Sequence, residues 1–158
     1  MSTSPSRLST SAREALSAAL RLVLIDGLDL YTQLKVAHWN IRGPHFAALH
    51  PLFEQFATAL GESTDGIAER AVTLGGLARG TARQVASSSR LPEYATETTR
   101  DLAHVRLLAD RIDAFLVGVR GARVVADEHR DVDTADLLTG ILAAFEKNAW
   151  FLRATLNA

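Results

Sequence analysis

The sequence predicts an all-α protein built as a bundle of four long helices. Apolar residues recur at alternating steps of three and four over four long segments, and no segment shows the alternation of a strand. With 158 residues and 47% hydrophobic content, the chain is long enough for one well-buried domain. We therefore expect a short flexible tail rich in serine and threonine over residues 1–10, and one bundle domain over residues 11–158.

The first two helices lie on either side of a Gly-Pro break. Ser11 and Glu14 fit a capping box, and the first helix extends from there to about Asn40. The second helix begins near His45 and ends at Gly75-Gly76. Each helix carries one apolar stripe, formed by Leu16, Leu20, Val23, Gly27, Leu30, Leu34 and Ala37 in the first and by Leu49, Phe53, Phe56, Leu60, Ile67, Ala71 and Leu74 in the second.

The second half of the chain predicts two further helices after a long connection. Apolar residues mark a third helix from Leu102 to Val119 and a fourth from Leu138 to Leu156. The polar connection over residues 77–92, with a short helix at 81–86, exceeds the about two to eight residues usual between neighbouring helices of a bundle. It predicts a crossover along the bundle. Four long helices with one long central crossover form the ferritin-like arrangement.

The composition excludes several classes of function. Lysine plus arginine number 17 and aspartate plus glutamate 18, so no overall charge draws the chain to nucleic acid or to an anionic membrane. The absence of cysteine excludes disulfides, thiolate nucleophiles and iron–sulfur clusters. No apolar run approaches the about 20 residues that span a bilayer, and the opening residues lack the apolar core of a signal peptide. We therefore expect a cytoplasmic protein.

The second helix carries a stripe of residues able to bind a metal. His50, Glu54, Asp65 and Glu69 fall at about 0°, 40°, 60° and 100° around the helix axis, and His38 precedes the break. Imidazole nitrogen combined with carboxylate oxygen, without sulfur, suits iron, manganese or zinc. The alternative is a solvated polar face of the helix.

The spacing of the stripe excludes one compact site within a single chain. His50 and Asp65 lie about 22 Å apart along a helix, and Glu54 and Asp65 about 16 Å. Either the residues form two separate half-sites, or a second copy brings its Asp65 and Glu69 beside His50. A two-fold dimer makes such a pairing naturally, because symmetry places one patch against a different patch of the copy.

The sequence resembles the Dps family, the miniferritins named for the DNA-binding protein from starved cells. The resemblance extends from about Asp26 to Phe151. It rests on Ala37-His38-Trp39-Asn40 with Arg42-Gly43, on Phe46 and His50, on Asp65 with Ala68-Glu69-Arg70-Ala71 and Leu74-Gly75-Gly76, and on Asp133-Thr134-Ala135-Asp136 and Trp150-Phe151.

The resemblance implies a hollow dodecamer whose subunits have a short extra helix in the crossover. It implies ferroxidase sites shared between two subunits, oxidation of ferrous iron preferentially with peroxide, and storage of the ferric mineral inside the shell. The ligands implied are His38, His50 and Glu54 from one subunit and Asp65 and Glu69 from its dimer mate.

Three further details concern the metals, Glu54 and Trp39 at the site that the resemblance implies. Two irons can occupy each site, and zinc competes with ferrous iron by the usual affinity order. Glu54 stands where the family often has aspartate, so its longer arm is expected to shift the second iron position. Trp39 matches the tryptophan beside the family's site, where it takes up oxidising equivalents; the alternative is an aromatic ring packed at a helix end.

Binding to DNA is expected to be weak or absent. Family members that bind DNA usually do so through a lysine-rich terminal extension, since phosphate neutralisation dominates such affinity. The two lysines here, Lys35 and Lys147, lie inside predicted helices. The alternative function is a nucleoid-compacting protein, associated with the nucleoid, in which iron oxidation is secondary.

The remaining acidic and histidine residues give weaker indications. His45 is expected to be exposed or to cap the second helix, and His104 and His129 receive no role. An acidic turn precedes the fourth helix, and either it is solvated and caps that helix or, as the resemblance implies, some of its aspartates line pores that admit iron. These aspartates are Asp127, Asp131, Asp133 and Asp136.

Overall fold

The computed structural model describes residues 7–157, and the chain forms five helices within them. The helices are α1 (Thr10–Asn40), α2 (Phe46–Thr73), α3 (Ala82–Ser88), α4 (Asp101–Glu128) and α5 (Val132–Leu156). The described residues contain no strand beyond one isolated bridge, between Arg42 and Arg100. The predicted all-α, ferritin-like bundle is confirmed. Residues 1–6 of the predicted tail lie outside the described range.

α1 begins two residues before its predicted start. The hydroxyl of Ser9 accepts a hydrogen bond from the Ala12 backbone N–H at 3.1 Å, so Ser9 is the N-cap. The capping box predicted at Ser11 and Glu14 is therefore wrong, because Ser11 already lies within the first helical turn. The end of α2 agrees with the prediction. Leu74 is its C-cap, and Gly75 adopts φ +90°, a conformation that only glycine adopts without strain.

The core is formed by the predicted apolar stripes. Every residue of the α1 and α2 stripes is buried, as are the central members of the later two. α1 and α2 pack closely at Gly27, where a Cβ atom would lie 2.6 Å from Thr64 Cγ2. Phe115 of α4 and Phe145 of α5 meet edge to face at 5.7 Å in the middle of the bundle. The periodicity therefore identified the faces that pack.

The connection between α2 and α4 traverses the length of the bundle. The Arg42 N–H donates to the Thr99 carbonyl at 2.7 Å, so α4 begins beside the α1–α2 turn. α2 ends about 42 Å away along its axis, and the chain must return over that distance. The predicted short helix forms within this crossover as α3, with Thr81 as its N-cap.

Two partly buried polar contacts hold the crossover against the bundle. The carboxylate of Asp26 on α1 accepts hydrogen bonds from the backbone and the guanidinium of Arg90, both at 2.9 Å. The Arg111 guanidinium on α4 donates to the carbonyls of Pro92 and Glu93. Along the described residues, none of the helices is both long and apolar enough to cross a bilayer.

The acidic turn is shorter than predicted, because α4 extends through Glu128 and α5 begins at Val132. Arg130 adopts φ +55°, and the Asp131 N–H donates a hydrogen bond to the Ala126 carbonyl at 2.9 Å, which ends α4. This is the left-handed helix ending that glycine usually provides.

Candidate metal centre

His38 and His50 hold each other by two reciprocal hydrogen bonds. His38, in the last turn of α1, donates from Nδ1 to the His50 carbonyl at 2.7 Å, and His50 donates from Nδ1 to the His38 carbonyl at 2.8 Å. The rings stack with centroids 3.8 Å apart. Because a carbonyl can only accept, both Nδ1 atoms carry the proton, and both Nε2 atoms keep the lone pair that binds a metal. The tautomers are therefore set before any metal arrives.

Glu54 lies one turn beyond His50 on α2 and completes the histidine half, by which we mean His38, His50 and Glu54. Its Oε2 atom lies 3.5 Å from His38 Nε2. The ammonium group of Lys35 pairs with the same oxygen and, by donating this hydrogen bond, lowers the pKa of Glu54 below its ordinary value. Lys35 thus favours the ionised form of this carboxylate.

Lys35 is a member of the site that sequence reasoning missed. It lies one turn before His38 on α1, and its ammonium also faces the Trp39 ring, 5.8 Å from the centroid. The spacing from His38 places both residues on one face of the helix, which was the available signal. The Lys35 ammonium group contacts a Glu54 oxygen that a bound metal ion would also use. Lys35 therefore competes with the metal ion for this oxygen.

Asp65 and Glu69, the carboxylate half, are exposed on α2 and do not meet the histidine half in one chain. His50 and Asp65 both lie on α2, which is unbroken between them, so they are about 22 Å apart. Within residues 7–157 of a single chain, no three histidine, aspartate or glutamate side chains come close enough to hold a metal ion together. The arrangement leaves each half able to bind a metal only with ligands from elsewhere.

Trp39 and Phe46 form an exposed aromatic surface beside the histidine half. Trp39 is 67% exposed, so within one chain it does not pack against the helix end, which was one of its two interpretations. Phe46 is also exposed, and its ring stacks on that of His50 at 4.9 Å. Large exposed rings beside an incomplete set of ligands are typical of a surface that another protein chain covers.

Comparisons with known proteins identify the family to which this chain belongs. Residues 14–158 match the family model of the ferritin-like domain. The DNA protection during starvation protein of Agrobacterium fabrum is 36% identical over 147 residues, which cover 93% of this chain and 91% of that protein. A second such protein, from Bacillus anthracis, is 35% identical over 128 residues, covering 81% and 87%. The chain belongs to the ferritin-like Dps family.

Solved structures of the Dps family superpose closely on this chain. DpsC from Streptomyces coelicolor gives a TM-score of 0.92 at 31% identity, covering 98% of this chain and 91% of that one. The Dps protein from Vibrio cholerae O1 gives 0.90 at 26% identity, covering 99% of each chain. That protein is described as a member of a broad superfamily of ferritin-like diiron-carboxylate proteins. Iron chemistry in this Dps-family chain is thus consistent with its superfamily.

The acidic turn of this Dps-family chain divides into two kinds of aspartate. Asp131 is buried and binds Arg70 on α2 through both carboxylate oxygens, at 2.8 and 3.0 Å, and it also accepts from the Thr134 hydroxyl. In this chain it is a buried residue that joins the start of α5 to α2. The other three aspartates, Asp127, Asp133 and Asp136, are exposed. Asp127 lies 3.5 Å from the Arg123 guanidinium, and Asp133 lies 4.0 Å from that of Arg70.

The remaining histidines occupy three different positions. His45 is the N-cap of α2, but its ring contacts Asp101 on α4 at 2.8 Å and makes no capping bond to α2. His104 is fully buried and shares a 2.6 Å hydrogen bond with the Tyr94 hydroxyl, and burial lowers its pKa. Burial raises the pKa of Tyr94, because in both side chains it disfavours the charged form. His129 ends α4 as its C-cap.

Proposed function

We propose that this protein oxidises ferrous iron at sites shared between two copies and stores the ferric product as mineral inside a hollow dodecamer. The observation that carries the proposal is the pair of fixed tautomers at His38 and His50, which leaves both Nε2 atoms free to bind a metal, that of His38 lying 3.5 Å from the Glu54 carboxylate. Nitrogen and carboxylate ligands suit both the ferrous substrate and its ferric product.

Each shared site combines one histidine half with the carboxylate half of a second copy. A two-fold axis accounts for the absence of a complete site in one chain, because the two halves then meet across the interface. The exposed rings of Trp39 and Phe46 lie beside the histidine half and would be covered by the same contact. Zinc, with the same ligand preference, competes for the site.

The proposed oxidant is hydrogen peroxide. Two ferrous ions each give up one electron, and the peroxide takes both electrons with two protons and leaves as two molecules of water. No free hydroxyl radical is released in this step, so the reaction protects against oxidative damage. Iron reaches the sites past the exposed aspartates Asp127, Asp133 and Asp136, because clustered carboxylates raise the local concentration of cations. We place this reaction in the cytoplasm.

An anaerobic titration with Fe(II), followed by addition of peroxide, tests the proposal. We expect saturable binding and fast oxidation in the wild type, and only background oxidation in a variant with His38→Ala and His50→Ala. As a matched control, His129→Ala removes a histidine at the far end of α4 and should leave both measurements unchanged. Equal oxidation by the wild type and the double variant would refute the assignment.

Compaction of DNA is the alternative function, and the observation in its favour is that two relatives are named for protection of DNA during starvation. The charge of this chain argues against it, since the two lysines lie on helices and the formal net charge is −1. We expect little retardation of duplex DNA in a gel-shift assay at about 0.15 M salt, because phosphate contacts dominate such binding. A clear sub-micromolar shift at that salt would favour the alternative.

A further inference from the structure

The turn between α1 and α2 is fixed to the start of α4. Residues 41–45 form this turn, which separates His38 from His50. Arg42 donates to the Thr99 carbonyl at 2.7 Å and accepts from the Asp101 N–H at 2.9 Å. These two bonds join the turn to a segment about 57 residues later in the chain, but they involve only backbone atoms.

The Asp101 side chain fills the inside of the turn. Its Oδ2 atom accepts from the backbone N–H of His45 at 2.9 Å and from His45 Nδ1 at 2.8 Å, while Oδ1 accepts from the Leu102 N–H at 2.8 Å. These bonds, above all the one from the His45 backbone, hold the pKa of Asp101 below its ordinary value. Gly43 adopts φ +140°, and a Cβ atom there would lie 2.5 Å from the carboxylate.

The position of α2 along α1 depends on this contact. His45 is the N-cap of α2 and lies five residues before His50, so a carboxylate that binds its backbone fixes where the helix begins. The reciprocal bonds between His38 and His50 require each ring to reach the other helix's carbonyl, at 2.7 and 2.8 Å. A small shift of the first turn of α2 would lengthen both bonds, and the carbonyls would then no longer fix the tautomers of the two rings.

We propose that Asp101 is a positioning residue for the iron site, acting through His45 and the turn on the geometry of His38 and His50. This inference rests on the proposed function. Asp101 makes its side-chain hydrogen bonds to His45 and Leu102 and acts on the two histidines only through the turn, so that both Nδ1 atoms keep their carbonyl partners. Groups that orient metal ligands typically contribute about ten- to hundredfold to metal affinity, and the lower end fits an action through a turn.

The experiment uses Co(II) as a spectroscopic probe and Fe(II) with peroxide as the substrates. Asp101→Asn keeps the size of the side chain and removes its charge and one acceptor oxygen. His45→Asn removes the ring contact and keeps the backbone bond, and it changes an exposed side chain, so the fold should tolerate it. The matched control is Asp110→Asn, an exposed aspartate about 13 Å further along α4.

We expect Asp101→Asn to weaken Co(II) binding about tenfold, to change the visible absorption band of bound Co(II), and to raise KM for Fe(II) by a similar factor with little change in kcat. His45→Asn should give a smaller effect in the same direction, and Asp110→Asn none. Folding and assembly are checked by circular dichroism and sedimentation. If Asp101→Asn does not fold, His45→Asn decides the question by the same measurements.

Two results would overturn the inference. The first is wild-type affinity and spectrum in folded variants. The second is a loss of kcat that follows lowered thermal stability with an unchanged Co(II) spectrum, which would show a purely structural role. Failure of the proposed function gives a different result, because the wild type itself would then neither bind Co(II) nor oxidise Fe(II).

Discussion

A complementation experiment tests whether the two halves of the iron site come from different copies. One variant carries His38→Ala and His50→Ala and lacks the histidine half. The other carries Asp65→Ala and Glu69→Ala and lacks the carboxylate half. All four side chains are exposed or half-buried, so the core of the bundle is left intact. Each variant alone should oxidise Fe(II) only at the background rate.

The expected recovery follows from two-fold symmetry. In a mixed dimer, one site combines the intact histidine half of the second variant with the intact carboxylate half of the first. The other site has lost both halves. A pure population of mixed dimers should therefore recover about one half of wild-type activity, and random mixing of equal amounts about one quarter.

The assay requires mixed assemblies of known composition. The two variants are co-expressed with different affinity tags, and successive purification on both tags isolates mixed assemblies. Initial rates of Fe(II) oxidation with peroxide are then compared per dimer with the wild type. If purified mixed assemblies stay at the background rate, the five ligands do not form shared sites, and the reasoning from helix length is refuted.

Three further predictions concern residues around the site. Lys35→Gln removes the cation paired with Glu54, so Fe(II) titrations should show about two- to fivefold tighter binding, whereas unchanged binding would mean that Lys35 is no competitor. Replacing the exposed turn aspartates Asp127, Asp133 and Asp136 with Asn should slow iron uptake at low ionic strength without changing assembly. Asp131→Asn should instead lower the free energy of unfolding in urea by about 2–3 kcal/mol, because it breaks the pair with Arg70. Equal effects of the two changes would contradict the division between exposed and buried aspartates. Burial lowers the pKa of His104, so the unfolded chain binds a proton more readily, and stability should be full above about pH 6.5 and fall below it. Urea unfolding between pH 7.5 and 4.5 should show a flatter profile for His104→Gln, and an unchanged slope would exclude His104 as the cause.

The sequence predicted the bundle well because helix faces are local information. The step between apolar residues identified the buried side of α1 and α2, and glycine marked the end of α2. The start of α1 was predicted two residues too late, because Ser9 and Ser11 are both good N-caps and only the backbone conformation selects Ser9. Local patterns thus predict elements better than their first residues.

Contacts between distant residues could not be read from the sequence in the same way. Asp131 resembles its acidic neighbours along the chain, and only the fold places it against Arg70, 61 residues earlier. His45 and Asp101 are separated by 56 residues, so their bond left no local pattern. Whether the proposed ligands meet between copies stays a prediction, since it concerns a second chain.

All five proposed ligands lie between His38 and Glu69, on the surface of the α1–α2 pair, while α4 and α5 contribute none. Within the described residues of one chain these ligands form no complete site, so in the proposed arrangement iron binds where two copies meet. A ligand shared by two copies stabilises their association, by an amount that grows with the logarithm of its free concentration. Ferrous iron should therefore shift the equilibrium between dissociated and assembled copies, and a chelator should shift it back, with no change in the helical content of either.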